Sequence, residues 1–217
     1  MIIDYANAVP APRLFRSALL DPPWMEEGGG GRGAQNHYPL MTTDAIAALP
    51  ISQVMDRNAH LWLWATDNFD PDAHHCGRIW GFRYVCSWIW VKGRIHPATG
   101  KVVLQRGLGR YNRKCHERLM LFSRGAACVP AKAWPESVIV EPRTEHSRKP
   151  EVFYTVAEHV SLPRVPRLEV FARSGRPGWT SIGNEAPNSG GEDVAVTLSR
   201  MAGIQMRGQG LLFGSAR

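Results

Sequence analysis

The chain has 217 residues, 44% of them apolar, and a formal net charge of +7 from 26 basic and 19 acidic side chains. That is enough apolar material for one sizeable core and a small extra subdomain. No run of about 18 apolar residues occurs, which argues against a membrane-spanning helix, and the positive balance favours a polyanionic partner.

In chain order, Phe15 to Leu20 reads as a strand closed by Asp21-Pro22-Pro23-Trp24, because two consecutive prolines donate no backbone hydrogen bonds. Met25 to Tyr38 holds five glycines between Gly28 and Gly33, too many for regular structure. Thr42-Thr43-Asp44 caps a short helix that Pro50 stops. His60 to Thr66 is an apolar strand, and Asp70-Pro71 opens a helix to Trp80 with Gly81 as its C-cap. Tyr84 to Val91, Glu117 to Ser123 and Ser137 to Val140 are further strands. Lys149-Pro150 opens a helix to His159, whose Val152, Phe153, Val156, Ala157 and Val160 share one face. Arg167 to Ala172 and Trp179 to Ile182 complete the strands, and Val194 to Met201 suits one more helix. Strands alternating with helices predict a mostly parallel α/β sheet. Residues 1–186 are expected to form the domain and 187–217 a peripheral or partly disordered tail.

Charge is unevenly spread. From Lys92 to Lys114 there are seven Lys or Arg and no acid, with Gly100, Gly107 and Gly109 interspersed. This reads as a mobile basic loop, either merely solvated or a surface for phosphates. Cys76, Cys86, Cys115 and Cys128 have no paired spacing and read as reduced packing residues. His74-His75-Cys76 lacks a second ligand pair, so no metal is expected. The N-terminal Met1 to Tyr5 lacks the basic and apolar regions of a signal peptide, which points to the cytoplasm.

Asp21-Pro22-Pro23-Trp24 carries the most chemistry. It sets an acid, a stiff turn and a large aromatic at the carboxyl end of a strand, where open α/β sheets bind ligands. An acidic acceptor beside rigid carbonyls suits a planar base with an exocyclic amine; the alternative is a plain turn followed by a core Trp.

Together with Asn36 to Pro39, Leu61 to Trp64, Trp80 to Phe82, Trp90 to Lys92, His146 to Pro150, Glu169 to Arg173 and Pro177 to Glu185, this motif resembles the adenine-N6 methyltransferases of the MT-A70 type. The resemblance runs in order over about residues 2 to 186. It implies a Rossmann-like S-adenosylmethionine-dependent methyltransferase fold, with helices on both faces and a circularly permuted motif order. It also implies methyl transfer from S-adenosylmethionine to the N6 amine of adenine in nucleic acid. By the same resemblance, Asp21 and the Pro22 carbonyl accept the amine hydrogens within the Asp21-Pro22-Pro23-Trp24 turn, and Trp24 and Tyr38 flank the base. Lys149 pairs with the donor's carboxylate; Arg173, Asn184 and Glu185 meet its ribose, and Asp4 and Tyr5 its adenine. Many relatives have Asn-Gln where this chain has Asn184-Glu185, a mild departure since a carboxylate also accepts ribose hydroxyls. Ser147 and Glu117 fall on the acceptor side, Glu117 equally well as a structural ion pair, and Arg110 and Arg113 are candidates for phosphate contacts.

DNA is the preferred substrate, because compact members of this type are typically prokaryotic or phage-borne; RNA is the runner-up. The alternative from another class is a catalytically silent nucleic-acid-binding subunit. Such relatives typically lose the motif's acid, and Asp21 is present here. A homodimer stays open.

Overall fold

Strand β1 (Phe15–Leu20) ends at Asp21, where Pro22 and Pro23 interrupt the ladder. The computed structural model of the chain describes residues 14–25, 40–109, 111–127, 135–144, 148–161, 164–186 and 191–204. Thr42 caps α1 (Thr43–Ala47) as expected, its hydroxyl accepting from the Ala45 N–H at 3.2 Å. A single turn, α2 (Ile51–Val54), leads into β2 (Met55–Ala65). Helix α3 (Asp70–Ile79) connects to β3 (Arg83–Ile95), and then come β4 (Val102–Leu104), β5 (His116–Arg124) and β6 (Val138–Glu141). The chain continues through α4 (Glu151–Val160), β7 (Arg167–Val170), β8 (Thr180–Ile182) and α5 (Val194–Met201).

These strands form one eight-stranded sheet in the order β4-β3-β5-β2-β1-β7-β8, with β6 beside β3. The pairs β1/β2, β1/β7, β7/β8 and β3/β6 are parallel. Strand β5 runs antiparallel to both β2 and β3, so the sheet is mixed. One consequence matters for the site: the start of β5 lies at the same edge as the ends of β1 and β2, since Arg118 pairs with Ala65.

Side chains alternate across the sheet with the two-residue period of a strand. Ala18, Leu20, Leu61, Leu63, Met120 and Phe122 face α1, α2, α3 and α5. Leu19, Trp62, Trp64, Leu119 and Leu121 face α4, where Phe153, Val156, Ala157 and Val160 fill the other core as their shared helical face predicts. Burying each large side chain contributes about 1.5–3 kcal/mol. Helices therefore cover both faces, and the near-continuous apolar runs of β2 and β5 follow from burial on both sides.

Three expectations are corrected. The basic loop from Lys92 is partly ordered: Gly93, Arg94 and Ile95 pair with Leu104, Val103 and Val102, because β-branched residues on both arms extend the ladder beyond Val91. Strand β7 stops at Val170 and does not reach Ala172, since Phe171 adopts φ 65°, outside the strand region. Finally, α5 falls in the segment expected to be a peripheral tail, yet Val194, Leu198 and Ala202 are buried in the main core.

Candidate active site

The ends of β1, β2, β7 and β8 and the start of β5 meet at one edge of the sheet. A pocket of about 200 Å³ opens there, lined by Asp21, Pro22 and Pro23 from β1, Phe171 to Arg173 after β7, and Asn184 and Glu185 after β8. Met41 and the start of α5 (Asp193 to Ala195) close it. Asp21 is thus brought to one cavity with Arg173, Asn184 and Glu185, which lie at the other end of the sequence.

Close backbone packing shapes the pocket wall. The Ala172 N–H donates to the Ile182 carbonyl at 2.9 Å. A side chain at Gly183 would place its Cβ 2.2 Å from the Ala172 carbonyl oxygen, so glycine is required there. Phe171, bent to φ 65° at the pocket, stores strain of about 1–3 kcal/mol. Behind the wall, buried Glu169 accepts from the Tyr154 hydroxyl at 2.7 Å and the Ser181 hydroxyl at 3.2 Å. Burial pushes the Glu169 carboxyl up, against the pull of these hydrogen bonds. Arg176 lies 3.5 Å over the Tyr154 ring and pairs with Glu151, which pins the glycine-bearing turn after Arg173 to the start of α4.

A chain of alternating charges runs back from Asp21. The Lys149 ammonium, immediately before Pro150, has two partners among the described residues: it donates to Asp21 Oδ2 at 2.7 Å and lies 3.3 Å from Glu117 Oε2. Lys92 donates to the other oxygen of Glu117. Lys149 also sits 5.3 Å over the Trp64 ring. Burial works against the Lys149 charge, but the Asp21 and Glu117 carboxylates outweigh it and hold the lysine protonated well above its ordinary range. Glu117 is likewise penalised by burial, yet Lys149 and Lys92 bring it below the usual glutamate value. Asp21 goes the other way: burial raises it, and Lys149 only partly offsets that. Of the two acids sharing the lysine, Asp21 is therefore the one that holds a proton more readily.

Lys149 bridges Asp21 and Glu117. An ammonium has three donors, so one remains for a further acceptor. Trp24 does not offer its ring to a base: it is buried, stacked 5.3 Å from Phe69, and its Nε1 donates to the Trp64 carbonyl at 3.1 Å. The proline turn sends it inward, where the indole N–H finds a partner. The Pro22 carbonyl accepts the Trp24 N–H at 2.9 Å, which leaves its second lone pair. Glu117 joins the site through Lys149, and exposed Arg113 lies on the β4–β5 connection, outside the pocket lining. Asp4, Tyr5, Tyr38, Arg110 and Ser147 lie outside the described residues, as does the loop Gly28 to Gly33.

Sequence reasoning missed Lys92, Phe171 and Asp193. Lys92 was grouped with the basic loop, although its place two residues after buried Trp90 put it on the same strand face. Asp193 caps α5, accepting from the Ala195 N–H at 2.8 Å; an acid before an apolar run was the available signal. Nothing in the sequence marks Phe171, because a left-handed backbone is unexpected for a bulky residue. Among the described residues, no three His, Cys, Asp or Glu side chains are arranged to hold a metal ion. Buried Cys76 has its thiol pushed up to about 12, chiefly by burial.

A sheet with helices on both faces and a pocket at the strand ends beside an Asp-Pro-Pro turn gives the Rossmann-like methyltransferase fold. More specifically, residues 15–185 match the MT-A70 family model, and the chain belongs to that family. It is 27% identical over 173 residues to a rice (Oryza sativa subsp. japonica) protein named probable N(6)-adenosine-methyltransferase MT-A70-like, covering 79% of this chain and 23% of that one. It is 29% identical over 182 residues to the N6-methyladenosine RNA methyltransferase MTA1 of Pyricularia oryzae, covering 79% and 46%. It is 25% identical over 156 residues to the type II methyltransferase M.MunI of a Mycoplasma species, covering 70% and 61%. The chain thus spans between a quarter and three fifths of these relatives.

Proposed function

We propose that this protein transfers a methyl group from S-adenosylmethionine to the N6 amine of adenine in nucleic acid, with DNA as its substrate. The observation that carries this reading is Asp21, held by Lys149 on the rim of a pocket whose other walls are Arg173, Asn184 and Glu185. The donor's chemistry fits what is there. Asn184 and Glu185 offer acceptors for ribose hydroxyls and Phe171, Met41 and Val194 an apolar wall for adenine, and Lys149, bonded to Asp21 of the pocket lining, is the proposed partner of the donor's carboxylate. When bound, the donor would supply an electrophilic methyl carbon, its S–CH3 bond breaking with the electron pair left on sulfur as the neutral thioether departs.

The chain's own residues do the rest. An aromatic amine is a poor nucleophile because its lone pair is delocalised into the ring. Accepting one hydrogen at the Asp21 carboxylate and the other at the Pro22 carbonyl fixes the nitrogen and favours its pyramidal form. Orientation of this kind contributes on the order of several kcal/mol, and the carboxylate also stabilises the positive charge that develops on nitrogen. The nitrogen gains a methyl and loses one proton. Asp21, whose carboxyl burial makes a better base than an ordinary aspartate, takes that proton or passes it to water. Lys149 stays protonated throughout and keeps Asp21 aimed at the pocket.

DNA is our preferred substrate on the precedent of the type II methyltransferase M.MunI, with RNA the runner-up on that of the RNA methyltransferase MTA1. We further read the order of the chain, with the amine-binding turn first and the β7 end late, as a circular permutation. The cytoplasm of a prokaryote, or of a phage-infected host, suits cysteines without paired spacing. The test is incubation with labelled donor and a panel of DNA and RNA oligonucleotides, followed by digestion and mass spectrometry of the nucleosides. N6-methyldeoxyadenosine supports the proposal, and methylation of RNA alone overturns the DNA assignment. Donor binding without transfer to any oligonucleotide makes the chain a silent subunit, and absence of donor binding by titration calorimetry removes the enzyme reading.

A further inference from the structure

Six large apolar side chains are exposed along one short stretch: Ile95, Val102, Val103, Leu104, Leu108 and Tyr111. Tyr111 is 96% exposed and Leu108 77%, the two highest values among the exposed large hydrophobics. Isolated exposed apolar residues mean little, but several gathered in one insertion point to a contact surface. This set belongs to the insertion between β3 and β5, which is stapled at its neck. The Lys92 N–H donates to the Cys115 carbonyl at 2.7 Å, and the Gln105 N–H to the Lys92 carbonyl at 2.7 Å. The Gly107 N–H donates to the Lys114 carbonyl at 2.8 Å, closing the loop that carries Leu108 and Tyr111. Within that loop a Cβ at Gly109 would lie 2.1 Å from the Asn112 carbonyl oxygen, so the turn beside Tyr111 is tight and needs its glycine. A ring this exposed, on a loop closed by backbone hydrogen bonds, is presented outward and packs against nothing in the core.

Charge decides what meets this surface. No acid occurs between Lys92 and His116, and Arg94, Lys101, Arg106 and Arg113 are exposed around the apolar set. A second copy of the chain docking through the free edge of β4 would set these like charges against each other, which destabilises strand pairing. A nucleic-acid strand matches both features, with phosphates for the arginines and base faces for the ring. The insertion is also tied to the site at its neck. The neck residue Lys92 and the β5 residue Glu117 form the end of the charge chain that leads through Lys149 to Asp21.

We infer that Tyr111, backed by Leu108, is a stacking wedge that inserts against the bases of the bound strand and holds the region around the target adenine unstacked. This rests on the nucleic-acid reading above. An enzyme acting on a base in a strand must draw it out of the stack, and an apolar or aromatic wedge filling the gap stabilises that state.

The test uses the full chain and a single-stranded DNA oligonucleotide carrying 2-aminopurine beside one adenine, titrated at several salt concentrations. Tyr111→Ala is expected to weaken binding about 5- to 100-fold at every salt concentration, since stacking is uncharged. It should also abolish the rise in 2-aminopurine emission that the wild type produces, and Tyr111→Phe should restore both. Arg113→Ala is expected instead to reduce the salt slope by about 0.7. Because Tyr111 is solvent-facing, its loss leaves folding intact. Unchanged affinity and emission in Tyr111→Ala overturn the wedge. A wild type that binds no oligonucleotide overturns the functional reading and the wedge with it. A wild-type dimer in gel filtration that Tyr111→Ala converts to monomer assigns the surface to a second copy and also overturns the wedge.

Discussion

Two buried polar clusters lie under α4 on the same face of the sheet, one at each end of β1. At the amino end, the Ser161 hydroxyl accepts from Ser17 Oγ at 3.0 Å and Trp62 Nε1 at 2.9 Å, and lies 3.2 Å from His60 Nδ1. Burial, helped by Arg16, lowers the His60 pKa, so the ring is neutral and Nδ1 accepts the Ser161 proton. The two hydroxyls and the Trp62 N–H there are all paired, and the groups making these bonds are uncharged. At the carboxyl end, Asp21, Lys149, Glu117 and Lys92 form an ionised chain with a donor to spare at Lys149 and a carboxylate on the pocket rim. Ser17 and Asp21 are four residues apart on one strand face, yet the first closes a structural network and the second opens a reactive one. A saturated polar cluster holds the fold, whereas one with spare hydrogen-bonding capacity beside a cavity does chemistry.

That contrast is breakable. The largest effect is expected at the reactive end: Asp21→Asn lowers methyl transfer by about 10²–10³-fold or more, as removal of an electrostatic anchor does elsewhere. Donor affinity by calorimetry should stay near wild type. Glu117→Gln, at the far end of the same chain, leaves Lys92 without its partner and costs about 3 kcal/mol in denaturant unfolding. Because folded Glu117 titrates below its unfolded value, its contribution is present at neutral pH and fades as pH falls through the depressed folded value. The wild-type stability deficit relative to neutral pH should therefore appear in acid, and Glu117→Gln should lack that part of it.

At the saturated end the order reverses. Ser161→Ala leaves the Trp62 N–H and the Ser17 hydroxyl short of a partner, costing about 1–3 kcal/mol of stability. Its kcat for transfer should remain within about two-fold of wild type, a difference worth under 1 kcal/mol. A large kcat loss without a stability loss would erase the distinction between the clusters.

The pH profile sharpens it. Asp21 must be ionised to accept the amine hydrogen, and its pKa is raised, so kcat falls with decreasing pH earlier than an ordinary aspartate would dictate. The Glu117 charge contributes to that rise, so Glu117→Gln should move the acid limb to lower pH. The smallest effect is expected at Phe171→Gly. Relief of backbone strain and loss of the ring nearly offset, leaving stability within about 1 kcal/mol, while donor affinity falls measurably by calorimetry.

Much of this architecture was legible in the sequence, for identifiable reasons. β1 and α5 have the bounds expected from their apolar runs and flanking breakers, the Thr42 boundary follows from capping chemistry, and the Pro150 boundary from proline's fixed φ and missing N–H. The convergence of Asp21, Arg173, Asn184 and Glu185 was legible only through the family pattern, since no local signal ties residues more than 150 positions apart. Partners were the least legible. Whether Lys149 faces water or two acids depends on which strand is threaded beside β2, and the reversal of β5 is a tertiary fact. The inward turn of Trp24 likewise follows from the empty space beside Phe69, which only the folded chain defines.

The reversed strand has a wider consequence. Because β5 comes back between β2 and β3, the two ends of the β4-bearing insertion are anchored in neighbouring strands, one holding Lys92 and the other Glu117. That junction works as a socket. Segments of different length fit between positions 93 and 115 while Lys92 and Glu117 stay registered by the ladder beneath them, so the insertion can vary without disturbing the charge chain that ends at Asp21.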